Sequence, residues 1–304
     1  MACYHPLIAV DYGMDSSTGK HHVKILPKRA DSNLERLRSR FGNNLMMLPC
    51  GHCIGCAQDY ARMWQARIMA EYEERNIACF VTLTFDSRFR PRLDKCILRN
   101  FVKAVRNKFG NGIKFFGCGE LGEHTQRPHY HIILFGVDFK EDRKLFGKNG
   151  LYLTYTSPTL RKIWPYGNHL IGELDLASAG YVAKYCDKKK IENKDRGEFL
   201  IMSRGLGKSY FEKHKDDLMS SDFIYFKGSK FKIPRYFLKL SEKLDFIDQL
   251  DFFDYKERKR KVAQSFRFGS NKSVHFEEEG MILDQNYLLA KRKAKECFRD
   301  VGIY

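Results

Sequence analysis

The chain has 304 residues, and its 54 Lys and Arg outnumber its 37 Asp and Glu, which gives a net charge of +17. This length allows one large or two modest domains with a buried core, and 43% hydrophobic residues exclude a solvated basic tail. No apolar run approaches the roughly 20 residues that cross a bilayer, and Met1–Val10 lacks the pattern of a secretory signal. We therefore expect a soluble, unexported protein with a polyanionic partner, most often nucleic acid; a merely basic enzyme is the alternative.

The first predicted elements surround a cysteine cluster. Residues 11–49 show no clear periodicity and are predicted to be loops with a short strand. A helix is predicted over Ala57–Arg75, because Tyr60, Trp64, Ile68 and Tyr72 recur every four residues. The segment Phe80–Phe85 alternates with period two and is rich in Val, Thr and Phe, so we predict a strand there.

The middle of the chain alternates between the two kinds of structure. Asp94 is the predicted N-cap of a helix that ends at Phe109. Strands are predicted at residues 114–120, 129–135 and 168–174, with residues 121–128 as a hairpin loop between the first two, and a helix at residues 176–189. This order predicts an α+β fold, in which helices cover an antiparallel sheet.

Three regions are predicted on this basis. Residues 1–76 form an N-terminal segment with the cysteine cluster and a helix, and residues 77–190 form the α+β core. Residues 191–304 form a basic C-terminal region that begins with a charged linker. Its densest basic clusters, Lys256–Lys261 and Lys291–Lys295, are interleaved with aromatic residues, and we expect them to bind phosphates without sequence preference.

The nine cysteines fall into two groups. Five stand singly and are interpreted as small core residues: Cys79, Cys96, Cys118, Cys186 and Cys297. The cluster C-x2-C-x2-C supplies three thiolates, and the N-terminal cysteine could close a tetrahedral structural zinc site with ligands Cys3, Cys50, Cys53 and Cys56. His5 and His52 are substitute ligands. An iron–sulfur cluster, which the lack of a following Cys-Pro disfavours, and unligated thiols are the alternatives.

A second candidate metal site lies in the segment Pro128-His-Tyr-His131. On a strand, alternate side chains share a face, so His129 and His131 project together about 7 Å apart. The hairpin brings Glu120 beside His129 as the best third ligand, and Glu123 in the loop is second. Two imidazoles and a carboxylate leave coordination positions open, which suits Mg²⁺ or Mn²⁺ polarising a phosphate. Two satisfied sheet histidines are the alternative interpretation.

The helix that follows has two contrasting stripes. Small apolar residues recur at Ala179, Val182, Ala183 and Cys186, whereas Tyr181, Lys184, Tyr185 and Lys188 recur on nearly the opposite face. Tyrosines that share a stripe with lysines are typical of a surface that faces phosphate. The alternative is a core tyrosine beside solvated lysines. A tyrosine can attack phosphorus, which forms a phosphotyrosine and releases a 3′-hydroxyl.

Three segments together resemble the motifs of HUH-type rolling-circle replication initiators: FVTLTFD (Phe80–Asp86), RPHYHIILFG (Arg127–Gly136) and YVAKYCDKK (Tyr181–Lys189). The sequence is similar in particular to the replication initiators of gokushovirus-like microviruses, small single-stranded DNA phages. Their LPCG-x-C-x-x-C, MSRG-x-G and K-x-PRY patterns resemble Leu48–Cys56, Met202–Gly207 and Lys232–Tyr236. The resemblance covers most of the chain and implies an HUH-type sheet.

The resemblance also implies an activity and roles for particular residues. His129 and His131 would be metal ligands, Tyr181 and Tyr185 nucleophiles, and Lys184 the lysine that orients phosphate or metal-bound water. Residues assigned to DNA binding are Thr82, Thr84, Arg127 and Lys188. The protein would nick origin DNA, form a 5′-phosphotyrosine and a free 3′-hydroxyl, and later rejoin the strand in the cytoplasm of an infected bacterium.

Partners and rival functions follow from what the sequence lacks. Gly205-Leu-Gly-Lys-Ser209 resembles the end of a P-loop, but Met202 stands where the first glycine is required. We therefore expect no helicase or ATPase domain, and a host helicase and polymerase as partners. The rival functions are a non-catalytic single-stranded nucleic-acid-binding protein and an HUH transposase or relaxase.

Overall fold

The computed structural model describes residues 3–15, 17, 21–27, 34–89, 91–122, 126–149, 152–191, 197–221 and 223–241; the side chains of residues 34, 149, 185–191 and 219 are outside this description. The chain divides into two compact units, which lie within Met1–Asp59 and Tyr60–Tyr255 and are described separately here. None of the described helices is long and apolar enough to cross a membrane.

The first unit contains a three-stranded antiparallel sheet in the order β2-β1-β3. Its elements are β1 (Leu7–Met14), β2 (His21–Ile25), α1 (Leu34–Phe41), a 3₁₀ turn (Gly42–Asn44) and β3 (Leu45–Leu48). A small core of Ile8, Val10 and Leu45 lies beneath them. The prediction of loops over residues 11–49 was therefore wrong, because exposed apolar residues such as Tyr12 and Ile25 hide the alternation of these strands.

The second unit is built on a seven-stranded antiparallel sheet in the order β10-β5-β6-β4-β9-β8-β7. The strands are β4 (Ala78–Thr84), β5 (Lys114–Leu121), β6 (Pro128–Phe135), β7 (Lys144–Asn149), β8 (Tyr152–Thr156), β9 (His169–Glu173) and β10 (Phe199–Met202). The helices are α2 (Ile54–Arg75, which begins in the first unit), α3 (Lys95–Phe109), α4 (Pro158–Ile163) and α5 (Leu176–Ile191). The predicted α+β class with an antiparallel sheet flanked by helices is confirmed.

Helices cover both faces of this sheet. One face packs residues such as Phe116 and Ile133 against α2 and α5, and the other packs Val81 and Ile132 against α3 and α4. The two cores follow from the period of two along each strand, which sends neighbouring residues to opposite faces. The predicted cap of α3 is confirmed, since the Asp94 carboxylate accepts a hydrogen bond of 2.8 Å from the Cys96 amide.

The sheet continues past residue 190, where a boundary was predicted from the sequence. Strand β10 pairs with β5 from Phe199 opposite Gly119 to Met202 opposite Phe116. Beyond it follow α6 (Lys208–Lys213), α7 (Lys215–Ser220), β11 (Phe223–Phe226), β12 (Ser229–Lys232) and α8 (Arg235–Ser241), whose apolar side chains extend the core against α2. The basic clusters Lys256–Lys261 and Lys291–Lys295 lie outside the described residues.

The single cysteines divide between core and surface. Cys79 and Cys118 are buried as predicted, but Cys96 is exposed. The prediction for Cys96 was wrong because it stands off the stripe of α3 that faces the core, which is formed by Leu98, Phe101, Val102 and Val105. The Cys186 side chain and Cys297 lie outside the described part.

The GLGKS segment is no phosphate loop in this structure. The Gly207 amide, which a phosphate would need as a donor, gives its hydrogen to a buried carboxylate oxygen of Glu71 at 2.8 Å. The same oxygen lies 2.9 Å from Lys114 Nζ, and the other Glu71 oxygen lies 2.6 Å from Arg75 Nε. The carboxylate thus occupies the place that a nucleotide would require, in agreement with the sequence analysis.

Candidate functional site

The register of three strands brings the predicted ligands to one face of the sheet. His131 lies opposite Thr82 on β4 and Cys118 on β5, and His129 lies opposite Thr84 and Glu120. Tyr130 projects to the other face as predicted, is fully buried, and donates its hydroxyl to the Asp94 carbonyl at 3.1 Å. Strand alternation therefore separates a polar face that carries the candidate site from an apolar face that anchors β6.

Three neighbours hold the ring of His131, which is 5% exposed. Its Nε2 lies 3.0 Å from Glu120 Oε1, and its Nδ1 lies 3.0 Å from Thr82 Oγ1. The ring of Phe80 stacks on it with a centroid distance of 5.7 Å and an interplanar angle of 6°. With every edge of the imidazole contacted, both its position and its rotation are fixed by the sheet.

His129 is half-buried and oriented by a different contact. Its Nδ1 lies 2.7 Å from the carbonyl oxygen of Arg127, so Nδ1–H is the donor and Nε2 carries the lone pair. Burial lowers the pKa of His129 below its usual value, which keeps the ring neutral at pH 7. A neutral imidazole is the form that binds a metal ion.

Helix α5 places Tyr181 directly over this site. The tyrosine ring meets the His131 ring edge-on at 5.4 Å, and meets the Phe80 ring edge-on at 6.1 Å. The apolar stripe of the helix is confirmed, because Ala179, Val182 and Ala183 are completely buried. Tyr181 is on the same helix at a half-buried position, as the stripe pattern predicts for a residue at the border of the core.

A close approach of α5 to α2 fixes the position of the tyrosine. A Cβ atom at Gly180 would lie 2.8 Å from Gln65 Nε2, and this amide donates to the Leu176 carbonyl at 2.7 Å. A larger residue at position 180 would thus push against the side chain that anchors the first turn of α5. Gln65 and Phe80 were missed in the sequence analysis, although Phe80 stands two residues before Thr82 and therefore on the same face.

The remaining predicted residues lie around this centre or outside the description. Lys184 is half-buried on α5, Arg127 is exposed at the start of β6, and the Thr84 hydroxyl donates to the Asn168 carbonyl at 3.3 Å. The side chains of Tyr185 and Lys188, and the whole of Glu123, lie outside the described residues. The structure thus brings together Tyr181, His131, Glu120 and Thr82.

The donors on the sheet have the chemistry of a divalent-ion site but are not fully gathered. Two imidazoles and a carboxylate match the ligands that Mg²⁺ and Mn²⁺ accept. His131 and Glu120 are in direct contact. Among the described residues, however, only the cysteine cluster brings three or more ligand atoms within 4.8 Å of one another. Around one ion, the His129 ring would have to move towards the other two donors.

The cysteine cluster of the first unit is fully assembled. The four predicted sulfur ligands Cys3, Cys50, Cys53 and Cys56 all lie within 4.8 Å of one another, and neither His5 nor His52 belongs to the set. Three of these side chains are buried and Cys50 is half-buried. Among the alternatives of the sequence analysis, the geometry favours Cys3 as the fourth ligand.

Comparisons with known proteins place the chain in one family. Residues 78–190 match a family model described as replication-associated protein ORF2. The chain is 33% identical over 294 residues to replication-associated protein ORF2 of Spiroplasma virus 4, with 88% of each chain covered. No solved structure matches it.

Two further relatives come from other phages. Replication-associated protein VP4 of Bdellovibrio phage phiMH2K is 29% identical over 206 residues, which cover 62% of this chain and 65% of that one. Replication-associated protein ORF4 of Chlamydia phage 1 is 30% identical over 215 residues, which cover 65% and 54%. With the three motifs lying on the strands and the helix that build the site, the chain belongs to the family of replication-associated proteins of gokushovirus-like microviruses.

Proposed function

We propose that this protein initiates rolling-circle replication by nicking single-stranded viral DNA at the origin with a tyrosine nucleophile. The observation that supports the proposal is the contact of the Tyr181 ring with the ring of His131, whose Nε2 lies 3.0 Å from Glu120. A candidate nucleophile therefore lies beside a buried imidazole–carboxylate pair.

In the proposed site, His129, His131 and Glu120 hold the divalent ion, with Thr82 and Phe80 fixing the orientation of His131. Bound Mg²⁺ or Mn²⁺ would supply positive charge that polarises the scissile phosphate. The neutral state of His129 leaves its Nε2 available as a ligand. The burial of His131 and Glu120 excludes water from this side of the site and strengthens each polar contact.

The proposed reaction is a transesterification. The phenol oxygen of Tyr181 forms a bond to phosphorus while the bond from phosphorus to the 3′-oxygen breaks, and the phenol proton is transferred in net terms to the 3′-oxygen. The products are a 5′-phosphotyrosine and a free 3′-hydroxyl. Because the bond energy of the phosphodiester is retained, the reverse reaction rejoins the strand without ATP, which suits a protein whose GLGKS segment is closed by Glu71.

Two tyrosines permit two successive transfers. Tyr185 stands one turn after Tyr181 on α5, a spacing at which the two Cβ atoms lie roughly 5–6 Å apart. One tyrosine can then hold the 5′-end while the other attacks the next junction. Lys184 carries positive charge on the same helix face, where it would stabilise the attacked phosphate or the departing oxygen.

Contacts with the DNA strand and with host proteins complete the proposal. Thr84, Arg127 and Lys188 surround the proposed site and would bind the DNA, the two cations through phosphates. Duplex unwinding and synthesis from the 3′-hydroxyl would be the work of a host helicase and polymerase.

The proposal is tested by trapping the covalent adduct on a denaturing gel with labelled single-stranded origin DNA and Mn²⁺. Each of Tyr181→Phe and Tyr185→Phe is expected to retain some adduct, and the double variant to form none. Tyr225→Phe, which changes an exposed tyrosine on β11, is the matched control and should behave as wild type. An adduct formed by the double variant would overturn the assignment.

The same assay separates the rival functions. A non-catalytic single-strand binding protein would bind the DNA with no adduct at all, and nothing in that role needs a tyrosine over an imidazole–carboxylate pair. Full cleavage and rejoining by Tyr185→Phe would instead make Tyr181 the single nucleophile. The phage relatives favour an initiator over a transposase or relaxase.

A further inference from the structure

We propose that Cys3, Cys50, Cys53 and Cys56 bind a single structural Zn²⁺ ion as a mononuclear tetrathiolate site, separate from the nicking chemistry. The four sulfur atoms lie within 4.8 Å of one another, with Sγ–Sγ distances of 3.9 Å for Cys50–Cys56 and for Cys3–Cys53. A tetrahedral zinc ion with Zn–S bonds of about 2.3 Å places its sulfurs about 3.8 Å apart. The cluster therefore has the dimensions of one ion.

These dimensions disfavour the other forms of the cluster. In a four-iron cluster each thiolate binds its own iron atom, which spreads the four cysteine sulfurs further apart than around one ion. A disulfide needs sulfurs about 2.05 Å apart, and all four cysteines are free thiols at nearly twice that separation. Thiols without a ligand have no reason to converge in fours from an N-terminal segment and a distant loop.

Backbone amides point at every sulfur of the cluster. Each of the four Sγ atoms accepts at least one hydrogen bond from a backbone N–H. The donors are Cys50 N to Cys3, His52 N and Cys53 N to Cys50, Tyr4 N to Cys53, and Gly51 N to Cys56, at 3.3–3.5 Å. Donors arranged in this way stabilise negatively charged thiolates, which is the form that a metal ion binds.

The backbone of the loop is shaped for this arrangement. Gly51 has a φ of 77°, in the left-handed region, with nothing within 4 Å of the place of a Cβ atom. The left-handed residue turns the chain between Cys50 and Cys53, so that the amides that follow point back at the sulfurs. Helix α2 begins immediately after Cys53, and Cys56 lies in its first turn.

The first unit has few apolar contacts to hold it without a metal. In its described part, the core of the small sheet consists of three buried side chains with Leu26, Leu37 and Phe41 packed at the border. Units of this size usually require a metal ion or disulfides in addition to such a core. The proposed ion ties the N-terminus, the end of β3 and the start of α2 to one point.

The test is the metal content of the full-length protein, purified without chelators and without added metal. Mass spectrometry of the elements should find about one zinc and no iron per chain. Replacement of zinc by Co²⁺ should give the intense thiolate-to-metal absorption and the visible bands of a tetrahedral tetrathiolate. Folded protein without zinc, or the absorption of an iron centre, would overturn the proposal.

Variants assign the ligands. Cys53→Ser and Cys3→Ser should each reduce the zinc retained after dialysis against a weak chelator at least tenfold. Cys96→Ser, which changes an exposed cysteine outside the cluster, should retain a full equivalent. Retention of zinc by Cys3→Ser together with its loss from His5→Ala or His52→Ala would overturn the assignment of Cys3. Where a variant fails to fold, the cobalt spectrum of the wild-type protein still decides between a tetrathiolate and a site with a histidine.

A different observation supports a second inference, at the β7–β8 hairpin of the second unit. Phe146 is 68% exposed, the most exposed large hydrophobic side chain in the described part of the chain, and Leu145 beside it is 63% exposed. Across the hairpin, Tyr152 and Leu153 are also exposed. Neighbours on a strand normally face opposite ways, so two exposed residues in a row need a cause.

The cause is a break in the strand register. Leu145 pairs with Tyr155 and Gly147 with Thr154, which leaves Phe146 as an extra residue without a partner in the ladder. Such bulges turn a side chain away from the regular pleat. Strand β8 pairs with β9 at Tyr155, opposite Ile171, so the part of the hairpin nearer its tip extends past this pairing.

Exposed lysines flank these apolar side chains. Lys144 and Lys148 both lie on β7, on either side of the bulge. Aromatic rings that stack on bases, combined with cations that bind phosphates, are the surface by which proteins hold single strands. We infer that the hairpin binds single-stranded DNA next to the nick, an inference that rests on the proposed function and on the net charge of +17.

The test is the fluorescence anisotropy of a labelled single-stranded oligonucleotide. Phe146→Ala combined with Tyr152→Ala should weaken binding about tenfold or more, and Tyr225→Ala, an equally exposed tyrosine on β11, should leave binding unchanged. Lys144→Gln combined with Lys148→Gln should reduce the salt dependence of log Kd by about 1.4.

The outcomes separate this inference from the proposed function. Adduct formation at saturating DNA should survive all four substitutions, because none changes a residue of the proposed active site. Unchanged DNA affinity would overturn the inference. It would also be overturned if the substitutions instead abolished self-association or capture of another protein in sedimentation, since the hairpin would then be a protein interface.

Discussion

In the cysteine cluster, three of the four donors come from seven consecutive residues, whereas the donors on the sheet come from two strands that only the register brings together. The sulfurs are gathered within 4.8 Å and each already accepts an amide hydrogen. On the sheet, His131 and Glu120 are in contact, but His129 still bonds a backbone carbonyl. The first arrangement is typical of a closed structural site and the second of an open site that changes during its work.

The difference shows what each region contributes. A closed site stabilises its surroundings and has no room for a substrate. An open site keeps positions for a phosphate, at the expense of a looser set of donors. Substitutions in the two regions should therefore affect different measurements, and the following experiments are designed to find out whether they do.

The largest effect is expected from His131→Ala. Loss of a ligand of the open site should remove several kcal/mol of transition-state stabilisation, which slows nicking by about 10²–10⁴-fold. Zinc content should stay at that of the wild type, because the closed site shares no residue with the sheet. Undiminished nicking, measured as the rate of adduct formation, would contradict the assignment of His131.

Glu71→Gln should give the next largest effect, on stability alone. This carboxylate is 2% exposed and bonds Arg75, Lys114 and the Gly207 amide. Removing its charge leaves two cations partly unpaired and should lower the free energy of unfolding by about 3 kcal/mol, measured in urea. Glu120→Gln, the matched change at the open site, should cost less than about 1 kcal/mol and instead weaken Mn²⁺ binding. Equal losses of stability would erase the distinction.

The pH dependence of stability should follow from the same group. Burial alone raises the pKa of Glu71, but the contacts with Lys114, the Gly207 amide and Arg75 outweigh it and hold the pKa below its usual value. A depressed carboxyl pKa contributes stability that is fully present above the pKa of the unfolded chain and is lost as the pH falls through the folded value. The difference in unfolding free energy between wild type and Glu71→Gln should therefore shrink on acidification, and a constant difference would contradict this.

Thr82→Val should weaken Mn²⁺ binding by about 10–100-fold, because partners of a ligand usually contribute that much. The valine keeps the shape of the side chain but removes the hydroxyl at 3.0 Å from His131 Nδ1. Thr84→Val is the control, since that hydroxyl bonds the Asn168 carbonyl instead. Electron paramagnetic resonance of Mn²⁺ measures both, and equal affinities for the two variants would contradict the role of Thr82.

The smallest effect is expected from Gly51→Ala at the closed site. The left-handed φ of 77° disfavours alanine by about 1 kcal/mol. Nothing lies within 4 Å of the new methyl group, so zinc should still bind and only thermal stability should fall. Gly112→Ala, which has equally open surroundings without a positive φ, should have no such effect. Loss of zinc from Gly51→Ala would mean that the loop tolerates no change in its turn.

Much of the candidate site could be predicted from sequence because it depends on local periodicity. Alternation along β6 sends His129 and His131 to one face and Tyr130 to the other, whatever the neighbouring strands are. The helical period placed Tyr181 at the border of the buried stripe in the same way. The hairpin also placed Glu120 near the histidines, since the chain must reverse between adjacent strands.

Other features depend on contacts between distant residues, which periodicity does not encode. The stacking of Phe80 on His131 depends on β4 pairing with β6, and β10 joins β5 from beyond the charged linker. Cys96 and Cys118 are the same residue type, yet one is exposed on a helix and the other buried on a strand. The first unit was missed because its strands mix exposed and buried apolar residues.

The path of α5 across the sheet limits how its length can change. The chain enters α5 from β9 and next joins the sheet at β10, four strand positions away in the order β10-β5-β6-β4-β9. Four intervals of about 4.8 Å span roughly 19 Å, and the 16 residues of α5 extend about 24 Å. An insertion of one residue before Tyr181 would turn the tyrosine by about 100°, away from His131, whereas an insertion of a whole turn would keep its direction but move it about 5 Å along the axis. Length variation among relatives should therefore be tolerated at the ends of this helix and in the loops, and excluded between Gly180 and Lys184.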